Sequence, residues 1–352
     1  MAKIIVVLMV FVVAGHGAAT FLSASPKEIE AVDLFGSNRV TIEAIRTNHG
    51  ELLDGCLEQY VKEEKNLFFN CSQQFSKEVK SEFGFVFVDL SVITYVNLHN
   101  IPGKKYFATI DVVEPEDEAR RLNFLPRPHQ LYPDPGMLVS EWDRYMEVGT
   151  DLLIKSEISG TDALCPAFHC IFGHDHPKLQ AYAEIFRLGA SKFKKQLIEI
   201  LYNDARDQFR ANAAFLLAYS EDGKELVEIL RSRIKDSSFE VRNNVMRVFS
   251  EIARKHPGLN LPFEELVEAL DFPETTDRNK ASAAIYFSLI PSDSLFIERK
   301  RHLIKNALPF LLEILKLEQP NNHDFAYLIL QKISGLDFGD RDIQSWELWA
   351  RS

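Results

Sequence analysis

Apolar and polar positions alternate with a period of two at three places in the first third of the chain. Ile29-Glu-Ala-Val-Asp-Leu-Phe35 is the first, and it stops at Gly36. Phe85 to Val96 (FVFVDLSVITYV) and Lys105 to Glu114 (KYFATIDVVE) are the others, separated by Asn97–Lys104 with Pro102-Gly103 as turn chemistry. Such alternation predicts strands, the last two forming a hairpin with a loop longer than two residues. Between the first and second strands the apolar period lengthens to that of helices. Gly36 to Val40 reads as a turn, and Thr41 as the cap of a helix through Ile42 and Ile45, with Glu43 in its first turn. A second helix is predicted from about Glu51 to Lys65, with Leu52, Leu53, Cys56, Leu57 and Tyr60 on one face. A third runs from Ser72 to Glu82, with Phe75, Val79 and Phe83 inward.

The pattern then breaks. Residues 114–136 carry a charge run, EPEDEARR, followed by LPRPHQLYPDPG. Pro126, Pro128, Pro133 and Pro135 exclude regular structure, which predicts an extended linker of polyproline-II character. Helical periodicity returns over Met137–Ile154, where Leu138, Trp142, Tyr145, Val148 and Leu152 form one stripe. From Lys178 onward strand signals vanish and the chain repeats itself. Phe209–Leu217, Val241–Phe249 and Asn279–Phe287 align, spaced by 32 and then 38 residues, and each follows an apolar helix: Leu197–Leu201, Leu226–Leu230 and Leu266–Leu270. An acidic residue stands six positions before a basic one in each unit: Asp204/Arg210, Asp236/Arg242 and Glu274/Lys280. A fourth unit, Leu308–Leu317 then Phe325–Ile333, lacks that pair, because Glu318 is followed six later by Asp324.

These residues carry two resemblances. The repeated half resembles HEAT-like helical repeats, whose turn carries an Asp and whose second helix begins with an Arg. That likeness implies a stacked solenoid, since no helix pair buries its apolar face alone. It implies that the Asp and Arg rows form a ladder between turns, an anion-binding Arg row being the alternative. It also implies a concave face lined by the second helices, with Asn212, Asn244, Arg247 and Ser282 as surface binding candidates. The opening VDLFGSNRVT and the closing GFVFVDLSV…KKYFATIDVVE resemble the start and the final hairpin of a POTRA domain. This second likeness implies a binding module that accepts partner segments along a sheet edge. The fold class expected is therefore α+β: a small α/β module at 27–115, a Pro-rich linker at 116–136 and an all-α HEAT-like domain at 137–352. Gly335–Gly339 with Trp346 and Trp349 reads as its C-terminal cap.

Composition narrows the function classes. Of 352 residues, 46% are hydrophobic and 26% charged, which excludes a disordered chain and a multi-span membrane protein. The net charge of −11 argues against general nucleic-acid binding, which needs basic patches. Met1–Ala19 places Lys3 before an apolar run from Ile4 to Val13 and ends in Gly17-Ala18-Ala19. That is the pattern of a secretory signal peptide, with an uncleaved anchor as the alternative. The expected location is therefore secreted or periplasmic, with no membrane span after cleavage. In an oxidising compartment Cys56, Cys71, Cys165 and Cys170 read as disulfides. Of three possible pairings, sequence neighbours suggest Cys56–Cys71 and Cys165–Cys170. Asn70-Cys71-Ser72 is a lone glycosylation sequon.

The densest polar constellation is Cys165, His169, Cys170, His174 and His176. Two thiolates and two or three imidazoles can hold zinc, but the spacing is not a standard zinc signature. A disulfide that pins the entry to the helical half is the favoured reading, with His169 and His174 as cap or surface residues. A nucleophilic Cys–His pair lacks an orienting acid. No nucleophile elbow, HExxH or P-loop is present. The function expected is that of an exported, non-enzymatic scaffold that docks exported or envelope proteins and needs no cofactor. A Cys/His metal-binding or hydrolytic protein is the alternative. Some HEAT-like proteins are bilin lyases, but those act in the cytosol.

Overall fold

The structure is a computed structural model that describes residues 29–96, 104–158 and 165–352. The signal segment and the Pro102-Gly103 turn lie outside the described residues. The order of elements is β1 (Ile29–Phe35), α1 (Ile42–Val61), α2 (Lys65–Phe83), β2 (Phe87–Val96), β3 (Lys104–Val113), α3 (Glu118–Arg121), α4 (Leu138–Ile154) and α5 (Pro177–Lys192). It continues with α6 (Lys194–Asn203), α7 (Asp207–Leu217), α8 (Gly223–Arg231), α9 (Phe239–Lys255), α10 (Phe263–Glu268), α11 (Thr275–Ser288), α12 (Phe296–Asn306), α13 (Leu308–Leu315), α14 (Pro320–Ser334) and α15 (Ile343–Ala350). With one three-stranded sheet and 64% helix among the described residues, the fold is α+β.

Contacts divide the chain into two compact units. The first holds the residues up to Asn123, Asp271–Asn279 and Ile304–Ser352. Its sheet has the order β1-β3-β2, with β1 parallel and β2 antiparallel to β3. The parallel pair needs a crossover, and α1 and α2 supply it. They cover the sheet face of Leu90, Val92, Ala108, Ile110 and Val112 with Ile45, Leu53, Leu57, Phe75 and Val79. Thr41 caps α1 as expected, its Oγ1 accepting from the Ala44 N–H at 3.3 Å. The two helices expected on either side of Gly50 are one. Ile45, Leu53, Cys56 and Leu57 stay on a single buried stripe through the glycine, and that burial outweighs the roughly 1 kcal/mol a mid-helix glycine costs. The Cys56–Cys71 disulfide joins α1 to α2. The same unit contains α13, α14 and α15, so the last helices group with the sheet. Trp346 of α15 is fully buried, and its Nε1 donates to the Gly339 carbonyl at 2.9 Å.

The second unit holds residues 124–270 and 280–303. Here α6 packs on α7, α7 on α9, and α4 on α5 and α7. Trp142 and Tyr145 of α4 are buried against Phe186 of α5 at ring distances of 5.1 and 5.4 Å. The Pro-rich stretch is not a free spacer within this unit. Its N–H and C=O groups are bonded: Leu125 N–H to the Lys235 carbonyl at 2.7 Å, the Gln130 carbonyl to the Ala205 N–H at 2.6 Å. Prolines remove regular hydrogen bonding but leave the other residues' backbone groups needing partners. Those partners are the turns of the helical pairs.

Candidate functional site

The Cys165–His176 segment is closed by the Cys165–Cys170 disulfide. Tyr145 of α4 fixes the backbone just beyond that loop: its hydroxyl accepts from the Phe172 N–H at 3.1 Å and donates to the Gly173 carbonyl at 3.2 Å. His174 Nδ1 lies 2.9 Å from the Leu179 carbonyl, so Nδ1 carries the proton; Nε2 therefore accepts from the Tyr219 hydroxyl at 2.7 Å. His176 is the cap of α5, its Nδ1 accepting from the Lys178 N–H at 3.3 Å. The zinc alternative thus loses its donors: both thiolates are oxidised and both nitrogens of His174 are engaged. Among the described residues no three His, Cys, Asp or Glu side chains are grouped to hold a metal. The nucleophilic alternative loses its thiolate in the same way. His169 and His174 are buried, not on the surface; of the three histidines only His176 is a cap.

The expected ladder takes a different form from the in-unit pairs. Arg210 donates Nη1 to the backbone carbonyl of Asp204 at 2.7 Å and Nη2 to the carboxylate of Asp236, 26 residues on in the same unit, at 2.8 Å. The Asp204 carboxylate serves the Tyr132 N–H at 3.0 Å and the Arg206 N–H at 2.8 Å. Arg242 repeats the backbone bond, with Nη1 on the Asp236 carbonyl at 2.9 Å. Six residues before the base, the third equivalent is the Phe272 carbonyl, which accepts from Arg278 at 2.9 Å. Arg278, two residues before Lys280, thus makes the bond that Arg210 and Arg242 make. The basic residues two apart in Asp277-Arg-Asn-Lys280 hide that register from the sequence.

Of the concave-face candidates, Asn212 and Ser282 are buried. Packing of α4 on α7 covers Asn212, whose amide donates to Asp143 at 2.7 Å. Asn244 is half-buried and donates to the Ala211 carbonyl at 3.0 Å. Arg247 is half-buried on α9, one turn before Glu251.

A second polar arrangement escaped the sequence reading. In the first unit the sheet face away from α1 and α2 carries Asp33 on β1, Asp89 on β2 and Asp111 on β3, the last two directly opposite in register. The fully buried Arg278 donates to Asp111 at 2.6 Å and lies 3.7 Å over the Phe35 ring. Arg121 bonds the Val112 carbonyl at 2.6 Å and lies 5.3 Å from the same ring. A Cβ at Gly36, where φ is +100°, would come within 2.2 Å of the Val112 oxygen, so this turn needs glycine on two counts. Burial pushes the Asp89 carboxyl up, and the charge of Asp111 adds to it, so that it titrates at about 7. An aspartate inside each alternating run (VDLF, VDLS, IDVV) was the available signal.

A scan against protein-family models finds no match for this chain, and no curated protein matches it.

Proposed function

We propose that this is an exported, non-enzymatic interaction protein that accepts a partner segment as an added strand on the outer edge of β2, with a HEAT-like helical half as a further docking surface. The edge carries the reading. Among the described residues β2 pairs with β3 alone over ten residues. Its sequence, FVDLSVITYV, has one charge and no proline, so it lacks the usual devices that blunt an edge against pairing. The other edge, β1, has seven residues and a register shift between Ile29 and Ala31. The signal-like N-terminus and two disulfides support an oxidising compartment. No helix among the described residues is long and apolar enough to cross a membrane.

The test uses proline. Backbone N–H groups of a strand point alternately to its two sides, so those of Ser91 and Thr94 point oppositely. Of Ser91→Pro and Thr94→Pro, one breaks the ladder to β3 and loses stability, and the other removes only an outward donor. The variant that keeps the wild-type Tm should lose about tenfold or more of the partner captured from the export compartment. Undiminished capture by that variant overturns the edge reading.

A further inference from the structure

The two disulfides of this chain sit in opposite surroundings. Cys56 is fully buried in the core of the first unit, and the Cys71 Sγ has the Leu52 carbonyl 3.7 Å away, an acceptor that a thiolate would face unfavourably. Cys165 and Cys170 are half-buried, in a loop docked on the end of α7, where the Phe168 N–H bonds the Ala218 carbonyl at 2.9 Å. The Tyr219 hydroxyl stands 3.6 Å from the Cys170 Sγ and 2.7 Å from His174 Nε2. The Cys165 Sγ instead lies 3.2 Å from the Ala167 carbonyl. One sulfur thus has a proton donor beside it and the other an acceptor. Neither contact serves the disulfide itself, whose sulfurs hold no proton to give and accept only weakly.

The same two contacts fit the opened pair. A Cys170 thiolate is a charged acceptor for the Tyr219 O–H, and a Cys165 thiol can give its proton to the Ala167 carbonyl. Tyr219 is 3% exposed, and burial raises its pKa above that of a free phenol, so it keeps the proton it would donate. In the disulfide form that proton goes to His174 Nε2, and a full charge on Cys170 would draw the hydroxyl to sulfur. His174 is itself fixed by the Leu179 carbonyl at 2.9 Å and so holds Tyr219 in place. Exchange is faster when the departing sulfur is the better stabilised one. We propose that Cys165–Cys170 is a reversible thiol-exchange site, at which the thiolate of a partner attacks the Cys165 Sγ and Cys170 departs. The partner's sulfur bonds to Cys165, the Cys165–Cys170 bond breaks, and its electron pair leaves on Cys170 as a thiolate beside Tyr219. The partner is thereby tethered through a mixed disulfide, and its thiolate is the only co-reactant. Attack by the Cys170 thiolate on Cys165 reverses the step and frees the partner. The ligand class is a thiol, that of a small molecule or of a protein cysteine. This inference stands apart from the proposal for the β2 edge, which lies in the other unit.

The experiment uses the full mature chain with both disulfides formed, and reduced glutathione as the probe. Early samples, quenched with N-ethylmaleimide and mapped by mass spectrometry, should carry glutathione on Cys165 and maleimide on Cys170, with Cys56–Cys71 intact. Tyr219→Phe removes the donor and should slow that opening about tenfold, the loss of one charge-assisted hydrogen bond. A merely structural tyrosine would give the opposite sign, because a loosened loop exposes the disulfide and opens it faster. The surface change Arg187→Gln should leave the rate unchanged. Glutathione found chiefly on Cys170, or opening of the Tyr219→Phe chain as fast as wild type, overturns the inference. The first of these is read on the wild-type chain and needs no variant to fold. A second arm replaces glutathione with an extended peptide that carries one cysteine. Faster exchange with the peptide assigns the site to protein thiols, and faster exchange with glutathione assigns it to small ones.

Discussion

Asp89 and Asp111 show how a single pair of side chains can set a pH response. They face each other across β2 and β3, and only Asp111 is neutralised by an arginine at bonding distance, Arg278 at 2.6 Å. Asp89 then keeps its proton to about pH 7, where an unfolded aspartate would lose it near 4. A carboxyl with a raised pKa in the fold contributes stability below its unfolded pKa and loses it as pH rises through the folded value. Stability should therefore fall between about pH 4 and 7, and Asp89→Asn, which stays neutral, should flatten that slope. At pH 8 the asparagine variant should be more stable by about 1–3 kcal/mol, a range discounted for the half-buried position and for coupling to Asp111. Denaturant melts at pH 4, 6 and 8 measure it. Equal slopes for the two proteins would mean that Asp89 is ionised throughout.

At the scale of elements, the helical pairs are held by arginines that reach across turns. Arg210 and Asp236 are both essentially buried, so removing Arg210 leaves the Asp236 carboxylate only the more distant Arg233 as an ion-pair partner, at 3.7 Å. Arg210→Met should cost about 3–5 kcal/mol. Adding Asp236→Asn to that variant should return part of the loss, because the stranded carboxylate is then gone. Chemical denaturation of the single and double variants gives the coupling directly, and strictly additive losses would show that the pair is not the source. The sequence made these helices legible through their period and the acid-to-base spacing. It did not reveal that the bond six residues back goes to a carbonyl, while the carboxylate partner of Arg210 lies 26 residues on. Nor did it single out Arg278 for that bond, since Lys280, two positions on, fits the spacing pattern equally well. Asn212 and Ser282 fit the surface phase of their helices, yet neighbouring helices cover them. Proline content, likewise, told that residues 124–134 are irregular but not that their N–H groups are spoken for by the turns.

At the scale of the whole chain, neither the strand pattern nor the repeat pattern told that the last helices share a unit with the first strand. That grouping rests on pairing between residues nearly three hundred positions apart. The Asp33 carboxylate on β1 accepts from the Glu318 N–H at 3.0 Å and the Gln319 N–H at 3.1 Å, which would otherwise be orphan donors at the start of α14. Within α14 the Gln319 side chain caps the Asn322 N–H at 2.9 Å, so the first turn is supplied by two acceptors, one local and one distant. Loss of the distant one should open this turn before it unfolds the unit. Asp33→Ala should cost about 1–2 kcal/mol, the usual loss for a capping carboxylate. Its signature is spatial: amide exchange should speed up at Glu318, Gln319 and the following turn of α14, while α7, held by Arg210 in the other unit, keeps its protection. Exchange that rises evenly over both units would instead mean that Asp33 contributes only to global stability, and unchanged exchange at Glu318 would mean that the cap is supplied by Gln319 alone.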